Sequence, residues 1–188
     1  MAKSKKEIEK EILSFLDTNS THKGDEKLPG CGLQHGLACA LGTCKDNLPR
    51  VTPVDFFNDG LNIWVLGDPG GKIVNIRANP NVAVGIYTRM DHSVENRSIQ
   101  LWGKASLVTL EKDRELFMKM VARFGVVDAI RRAMKRGMLN MPSESDFDAE
   151  VVKALGRETL IKIEPERIFL FISRPDGTRE KLLWGRSE

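Results

Sequence analysis

The stretch RVTPVDFFNDGLNIWVLGDPGGK, residues 50–72, contains the pattern that decides the fold. Residues 50–57 and 61–66 are rich in β-branched and aromatic side chains, so both segments are predicted to be strands. The Asn-Asp-Gly sequence at 58–60 lies between them and is a strong signal for a tight β-hairpin. A short helix of one or two turns is predicted over 72–78, and it is expected to end at the Asn-Pro pair that follows, at residues 79 and 80.

Further short strands are predicted on both sides of this hairpin. They cover residues 35–43, 81–88, 98–108, 159–163 and 167–172. The long segment 98–108 is expected to bend around Gly103, since glycine inside a strand often marks a bend. Many short, closely spaced strands with helices at the edges favour a small antiparallel barrel of the mainly β, α+β class over a doubly wound parallel sheet.

Besides the short helix over 72–78, helices are predicted at the N-terminus and in one insertion. Ser4 and Glu7 fit a capping box at the start of the first helix, and Thr109 is the predicted cap of the insertion. A turn is predicted at 175–177, where Pro-Asp-Gly occurs. We expect one domain over residues 1–188, consisting of an N-terminal helix within 1–18, the barrel strands, a helical insert over 110–156 and C-terminal strands over 157–188.

The composition is typical of a globular domain. The chain has 188 residues, of which 41% are hydrophobic and 29% charged, with a formal net charge of +3. This small charge gives no case for a nucleic-acid or membrane partner, and no run of about 18 apolar residues predicts a transmembrane helix. The N-terminus lacks the apolar core of a secretory signal. Three cysteines without a Cys-x-x-Cys pair indicate a reducing compartment, so a cytoplasmic location is expected.

The sequence DPGGK at residues 68–72 is the first candidate for a binding site. Gly70 and Gly71 precede the short helix and leave backbone N–H groups free to face an anion, which the helix dipole also favours. Lys72 adds a mobile positive charge, whereas Asp68 would repel a phosphate unless its carboxylate points away. The alternative is an ordinary strand-to-helix turn with a solvated lysine.

The sequence RVTPV at residues 50–54 is the second candidate. Alternation along the strand places Arg50, Thr52 and Val54 on one face and Val51, Pro53 and Asp55 on the other. Because proline cannot donate a hydrogen bond to a ladder, this strand is expected at an edge, a bulge or a gap of the barrel. Arg50 could then pair with a phosphate or a ring carbonyl while the backbone lies against a flat ligand. The alternative is a surface arginine at the base of a hairpin.

The order of these motifs along the chain is more specific than any one of them. An RVTPV strand, an NDG hairpin, a strand ending in VLG, a GGK turn, the segment NIRANPNVAV and the strand SIQLWGKA follow one another within residues 50–105. This series resembles the FMN-binding split β-barrel of the pyridoxamine 5′-phosphate oxidase-like proteins. The resemblance covers residues 34–109 well and the C-terminal strands loosely.

The resemblance implies a site for FMN at the interface of a homodimer. Arg50 and Lys72 would hold its phosphate, and backbone atoms at Val51 and Thr52 would hold the isoalloxazine ring. The further site residues that the resemblance implies are Pro53, Val65, Leu66, Gly67 and Gly71 from the same subunit, and Ser98 or Gln100 from the second subunit.

The resemblance also implies a function, namely an FMN-dependent oxidoreductase that acts on a small molecule, with NADH or NADPH as a candidate electron donor. Segments 174–179 and 184–186 do not carry the arginine- and histidine-containing signature of pyridoxamine phosphate oxidase, so that particular activity is not expected. No residue pair is recognisable as a catalytic acid–base dyad, and the catalytic residues stay unassigned. The alternative function is a non-catalytic flavin- or haem-binding stress or sensor protein.

Four side chains of types that bind soft metals lie close together in the sequence, namely Cys31, His35, Cys39 and Cys44. On a strand the Cα atoms of His35 and Cys39 would lie about 13 Å apart, so we expect idle thiols and no metal site. His35 is an alternative haem ligand. The basic surface at residues 131–136 is interpreted as a solvated helix face.

Overall fold

Ten strands and five helices form the part of the chain that the structure describes, residues 3–24, 33–88, 91–139 and 147–185 of a computed structural model. The helices are α1 (Lys5–Asn19), α2 (Gly71–Ala78), α3 (Arg114–Arg123), α4 (Val126–Lys135) and α5 (Phe147–Leu155). The strands are β1 (His22–Lys23), β2 (Leu33–Gln34), β3 (Ala38–Lys45), β4 (Leu48–Asp55), β5 (Phe57–Asp59), β6 (Asn62–Gly67), β7 (Asn81–Tyr87), β8 (Asn96–Val108), β9 (Thr159–Ser173) and β10 (Arg179–Gly185). None of these helices is both long and apolar enough to cross a membrane.

Eight of these strands form one antiparallel sheet that curls into a split barrel. The strand order is β4-β3-β7-β8-β9-β6-β5, with β10 paired to β9 outside this path. The strands β4 and β5 lie at the two edges, and β4 comes back into contact with β6. The predicted mainly β split-barrel fold is therefore confirmed, although the sheet has more strands than the sequence predicts.

A proline and a glycine inside the strands occupy the kinds of position that their chemistry predicts. Pro53 lies on the edge strand β4, where a missing N–H costs no ladder hydrogen bond on the open side. Gly103 lies at the register shift between β8 and β9. A Cβ atom at Gly103 would be 2.2 Å from the carbonyl oxygen of Glu164, so the two strands can approach here only over a glycine.

Two predictions about strands are wrong because pairing overrides the local pattern. The predicted strand over 50–57 is interrupted at Phe56, and its two parts become β4 and β5. The predicted strands over 159–163 and 167–172 are one continuous strand, β9. This strand pairs with β8 from end to end, so the partner holds it extended through the segment that separates the two predicted strands.

Two predictions about turns and caps are also corrected. The strand β3 begins three residues later than the predicted strand 35–43 and runs to the turn at Asp46 and Asn47, whose φ angles are 51° and 58°. The cap of α3 is Asp113, whose carboxylate accepts a backbone hydrogen bond at 3.0 Å, and Thr109 only closes the turn before it. The Asp113 carboxylate is the better placed acceptor for the free N–H groups of this helix.

Two hydrophobic clusters stabilise the fold, one on each face of β6. Val65 points into the barrel interior, where α1 also contributes buried side chains. Trp64 points the other way and packs with Phe57 and Phe124, whose rings stack with centroids 4.6 Å apart. The helices α3, α4 and α5 supply most of the rest of this second cluster, together with Val108 on β8 and Leu160 on β9. The helical insert therefore covers the face of β5 and β6 that points away from the barrel interior.

A closed ring of alternating charges ties α1 to the barrel. Each member of the ring makes two salt bridges, with N···O distances of 2.6–3.1 Å. In order, the ring consists of Lys3, Glu11, Arg97, Glu95, Arg174 and Glu180. Lys3 lowers the pKa of Glu11, and Arg174 and Lys3 lower that of Glu180. The same contacts raise the pKa of Lys3. We refer to these six residues as the charge ring.

The charge ring is expected to make the stability of the fold sensitive to acid. Because the folded-state pKa values of Glu11 and Glu180 lie below the usual 4.5, their stabilisation is complete above pH 4.5 and is lost as the pH falls through the lowered values. In the variant Glu11→Gln/Glu180→Gln we expect a Tm lower by a few degrees at pH 7 and a smaller further loss on acidification than in the wild type. Thermal unfolding followed by circular dichroism between pH 7 and pH 3 measures both effects. The exposed Glu111→Gln is the control, and an unchanged acid sensitivity of the double variant would contradict the assignment.

Candidate functional site

The N-terminus of α2 forms a corner rich in hydrogen-bond donors. The helix begins at Gly71 after the extended residue Gly70, and none of the described side chains caps its first turn. Its first N–H groups and the positive end of its dipole are therefore available to an anion. The Lys72 side chain folds back over Gly67, with Nζ 3.2 Å from the carbonyl oxygen of Asp68.

Arg50 reaches the same corner from β4. A Cβ atom at Gly71 would lie 2.8 Å from Nη1 of Arg50, and a Cβ atom at Gly67 would lie 2.6 Å from Cε of Lys72. The two glycines thus leave room for two cationic side chains. Within the described residues, neither Arg50 nor Lys72 forms a salt bridge with a carboxylate. The structure therefore brings Arg50, Gly67, Gly71 and Lys72 together into a corner that can accept a phosphate.

Thr52 adds a hydroxyl group that has no partner. It lies two residues after Arg50 on β4, and its Oγ1 is shielded from solvent and makes no hydrogen bond to any part of the protein that the structure describes. A buried hydroxyl without a partner costs about 1–3 kcal/mol, which a ligand atom at this point would offset. Two cations, a helix N-terminus over glycines and this hydroxyl fit the phosphate and the polar ring edge of FMN.

Asp68, the residue that could repel a phosphate, interacts with Glu158 just before β9. Burial raises the pKa of the Glu158 carboxyl, and the hydrogen-bonded Asp68 raises it further, while Lys72 acts in the opposite direction. The two carboxyl groups therefore lie close to each other and to the Lys72 ammonium, whose positive charge offsets part of the repulsion that they exert on an anion at the corner.

The other predicted site residues on β4 and β6 differ in what they can offer. Val51 and Pro53 are exposed on the outward face of β4. The side chain of Val65 is buried in the barrel core, and that of Leu66 packs against the second cluster. Only backbone atoms of Val65 and Leu66 can therefore face a cofactor.

Ser98 and Gln100 lie on β8, away from the corner. The strands β3 and β7 separate β8 from β4, which corresponds to three strand spacings, or about 14 Å. Within one chain these residues do not join Arg50 and Lys72. A second subunit would have to bring its own β8 to the corner for either side chain to touch the same ligand.

A cavity of about 410 Å³ opens beside Ser98. Its aromatic and polar lining includes Tyr87, His92, Ser98, Phe171, Arg174 and Arg179. Arg174 belongs to the charge ring, whereas Arg179 forms no salt bridge within the described residues. The cavity therefore offers two aromatic walls and one cation that is not neutralised by a carboxylate.

One pair of titratable side chains is missed by the sequence. Nδ1 of His35 lies 3.0 Å from Oδ2 of Asp55. The two residues are 20 positions apart and meet because Asp55 pairs with Ala38, three residues after His35. The pattern of each strand alone contains no sign of this contact, since it depends on the register between β3 and β4.

The cysteines near this pair do not form a site with it. Cys39 is buried, and burial, assisted by the charge of Asp55, raises the pKa of its thiol to about 12. Among the described residues no group of three or more histidine, cysteine, aspartate or glutamate side chains could hold a metal ion. Cys31, the remaining member of the predicted set, lies outside the described residues.

Comparisons with known proteins place the chain in a family. The family model for pyridoxamine 5′-phosphate oxidase matches residues 32–171. No curated protein matches the chain. Among solved structures, a pyridoxamine 5′-phosphate oxidase-related, FMN-binding protein from Nostoc punctiforme shows 13% identity and a TM-score of 0.56, over 80% of this chain and 82% of that one.

Two further structures share the fold. A FAD-binding protein from Mesorhizobium loti shows 16% identity and a TM-score of 0.52, over 73% of this chain and 87% of that one. PhzG from Burkholderia lata, in complex with tetrahydrophenazine-1-carboxylic acid, shows 14% identity and a TM-score of 0.51, over 80% and 76% of the two chains. At these identities the likeness concerns the fold, and the family follows from the sequence model. This chain belongs to the pyridoxamine 5′-phosphate oxidase family.

Proposed function

We propose that this protein is an FMN-dependent oxidoreductase that acts on a small molecule. One observation carries the proposal. The Arg50 side chain lies against Gly71 and the Lys72 side chain lies over Gly67, both beside the N-terminus of α2. The Oγ1 atom of Thr52, which has no partner among the described residues, follows on β4. When bound, FMN would supply the transfer of hydride or single electrons. The protein would hold the phosphate with Arg50, Lys72 and the helix N–H groups, and would orient the ring along the open edge of β4.

A homodimer is part of this proposal, and the outward face of the sheet supports it. On this face small residues alternate with apolar side chains that a monomer would leave in water, including Val51 at 68% exposure, Tyr87 at 64% and Leu183 at 58%. Paired residues of neighbouring strands form two rows across this face. The first row consists of Val51, Gly42, Ala83 and Trp102. The second row consists of Pro53, Ala40, Gly85, Gln100, Phe169 and Leu183. A contiguous apolar surface of this kind favours an interface. A second copy on this face would also carry its β8 toward the flavin edge of the first.

Arginine in place of Ala83 is expected to separate the subunits. Ala83 is exposed in the first row, so its replacement leaves the fold of one chain intact while placing an unpaired charge at the centre of the interface. Light scattering should give twice the chain mass of 21.1 kDa for the wild type and a single chain mass for Ala83→Arg. Met138→Arg, an exposed apolar position on the other side of the fold, is the matched control. A monomeric wild type would remove the dimer from the account, and a dimeric Ala83→Arg would exclude this face of the sheet as its interface.

The cavity beside Ser98 supports a substrate that carries a ring and a negative charge. Tyr87 and Phe171 would contact the ring, and Arg179 would pair with the anionic group. PhzG, which shares the fold, was solved with a ring-bearing carboxylic acid. NADH or NADPH remains the candidate electron donor, and the cytoplasm, where the thiols of Cys39 and Cys44 would stay reduced, remains the expected location.

The cofactor is tested first by releasing and identifying what the purified protein binds, or by titrating FMN into the protein and following flavin fluorescence. We expect stoichiometric FMN binding. Reduction of the bound flavin by NADH or NADPH then distinguishes an oxidoreductase from a non-catalytic flavin carrier. Protein that binds haem, seen as a Soret band, or that binds neither group would contradict the proposed function.

A further inference from the structure

The pair of His35 and Asp55 has the geometry of an acid–base dyad. The Oδ2 atom of Asp55 is positioned to accept a hydrogen bond from Nδ1–H of His35 over 3.0 Å, and both side chains are 54% exposed. When a carboxylate holds the proton at Nδ1, the neutral ring presents Nε2 as its proton acceptor, and the protonated ring presents Nε2–H as its donor. The charge ring is closed without either residue, so this pair is not part of that network.

The dyad lies at the end of the strand that we assign to the flavin. Arg50 and Asp55 are both on β4, and five residues of extended strand span about 16 Å. Thr52 lies between them, and alternation along β4 places Asp55 on the face of Val51 and Pro53, opposite to the face of Arg50 and Thr52. FMN held by its phosphate at Arg50 and lying along this edge would cover most of that length, so its ring end would lie toward Asp55 and its phosphate end away from it.

We propose that His35 exchanges a proton with the substrate at the ring end of the flavin, and that Asp55 is its positioning residue. This inference rests on the proposed function. When bound and reduced, FMN would supply a hydride, with its two electrons, for an acceptor such as a quinone. His35 would give one proton from Nε2 to the acceptor oxygen, so that hydride and proton together convert the quinone to a hydroquinone and leave the flavin oxidised, and His35 would regain its proton from solvent.

Within the part of the chain that the structure describes, the ion pair of His35 is the one with Asp55. On the neighbouring strand β1 the other charged or titratable groups are His22 and Lys23, and the ring of His22 is engaged by the carbonyl oxygen of Ser20 at 3.0 Å. The Cys39 thiol on β3 stays protonated, because burial raises its pKa to about 12.

The test compares two electron acceptors with protein whose bound FMN has been photoreduced. Menadione must take up protons as it is reduced, whereas ferricyanide takes electrons alone. General acid catalysis is worth about 10²–10⁴-fold, so His35→Ala should slow the reduction of menadione by at least about tenfold and leave that of ferricyanide unchanged. His22→Ala, another histidine of the same surface, is the control and should resemble the wild type with both acceptors.

A second readout does not depend on turnover. Nitrogen-15 NMR of the His35 ring should show the proton on Nδ1 in the neutral form of the wild type, with the proton moving to Nε2 in Asp55→Ala. Addition of oxidised FMN should shift the His35 signals and leave those of His22 in place.

The outcomes separate this inference from the proposed function. One outcome is that His35→Ala binds FMN as the wild type does but reduces both acceptors more slowly by the same factor, or reduces neither more slowly. Another is that FMN leaves the NMR signals of His35 in place. Either result would show that His35 is not the proton donor, and the flavin site would stand. If the wild type does not bind FMN, both the proposed function and this inference fail.

Discussion

Replacing both Arg50 and Lys72 with alanine is expected to weaken FMN binding severely while the barrel stays folded. Each side chain is assigned a charge-assisted hydrogen bond to the phosphate, worth about 1–3 kcal/mol, so the double variant should bind between about 30-fold and 10⁴-fold more weakly. Neither residue is buried in the core. Fluorescence titration with FMN gives the Kd, and circular dichroism reports the fold.

The comparison that isolates the corner uses another cation of the same helix. Arg77 lies in the last turn of α2, at the end opposite to the assigned phosphate. Arg77→Ala should therefore bind FMN as the wild type does, and each single variant, Arg50→Ala or Lys72→Ala, should lie between the wild type and the double variant. Equal affinity of the wild type and the double variant would exclude the corner as the phosphate site.

Alanine in place of Gly103 is expected to give a large loss of stability for a very small chemical change. The added Cβ would lie 2.2 Å from the carbonyl oxygen of Glu164 and 3.0 Å from its carbonyl carbon, and these are backbone atoms that cannot rotate away. The clash must push β8 and β9 apart at the centre of the sheet. We expect a loss of about 2–4 kcal/mol in the free energy of unfolding, measured by urea denaturation.

A glycine with open surroundings provides the control for this effect. A Cβ at Gly185 on β10 meets no atom of the described residues within 4 Å, so Gly185→Ala should change the free energy of unfolding by less than about 1 kcal/mol. If Gly103→Ala were as stable as Gly185→Ala, the close approach of β8 and β9 at the register shift would be wrong.

The sequence predicts the barrel, and it predicts the glycine and lysine at the start of α2, because both depend on local signals. Hairpin residues, alternation and Pro53 mark the strands and the edge, and each of these acts within a few residues. The corner is predictable for the same reason on the side of α2, where Gly71 and Lys72 are neighbours. The link between Arg50 and this corner comes from the order of motifs and from the resemblance, and the contact of its guanidinium with Gly71 confirms that the two segments meet.

The features that the sequence does not predict depend on pairing across the sheet. The dyad of His35 and Asp55 needs the register of β3 with β4, and the charge ring needs the docking of α1 beside the turn between β9 and β10. The same applies to the continuity of β9, which its pairing with β8 maintains. A local pattern does not contain this information, because a shift of one residue in register would exchange the two faces of a strand.

A crystal structure of the protein grown with FMN tests the central claim most directly. The account predicts the phosphate at the N-terminus of α2, within hydrogen-bond distance of Lys72 Nζ, the Arg50 guanidinium and the first backbone N–H groups of the helix, with the ring along β4 toward Asp55. An FMN molecule bound elsewhere on the chain, or a corner closed by the protein's own side chains, would contradict it.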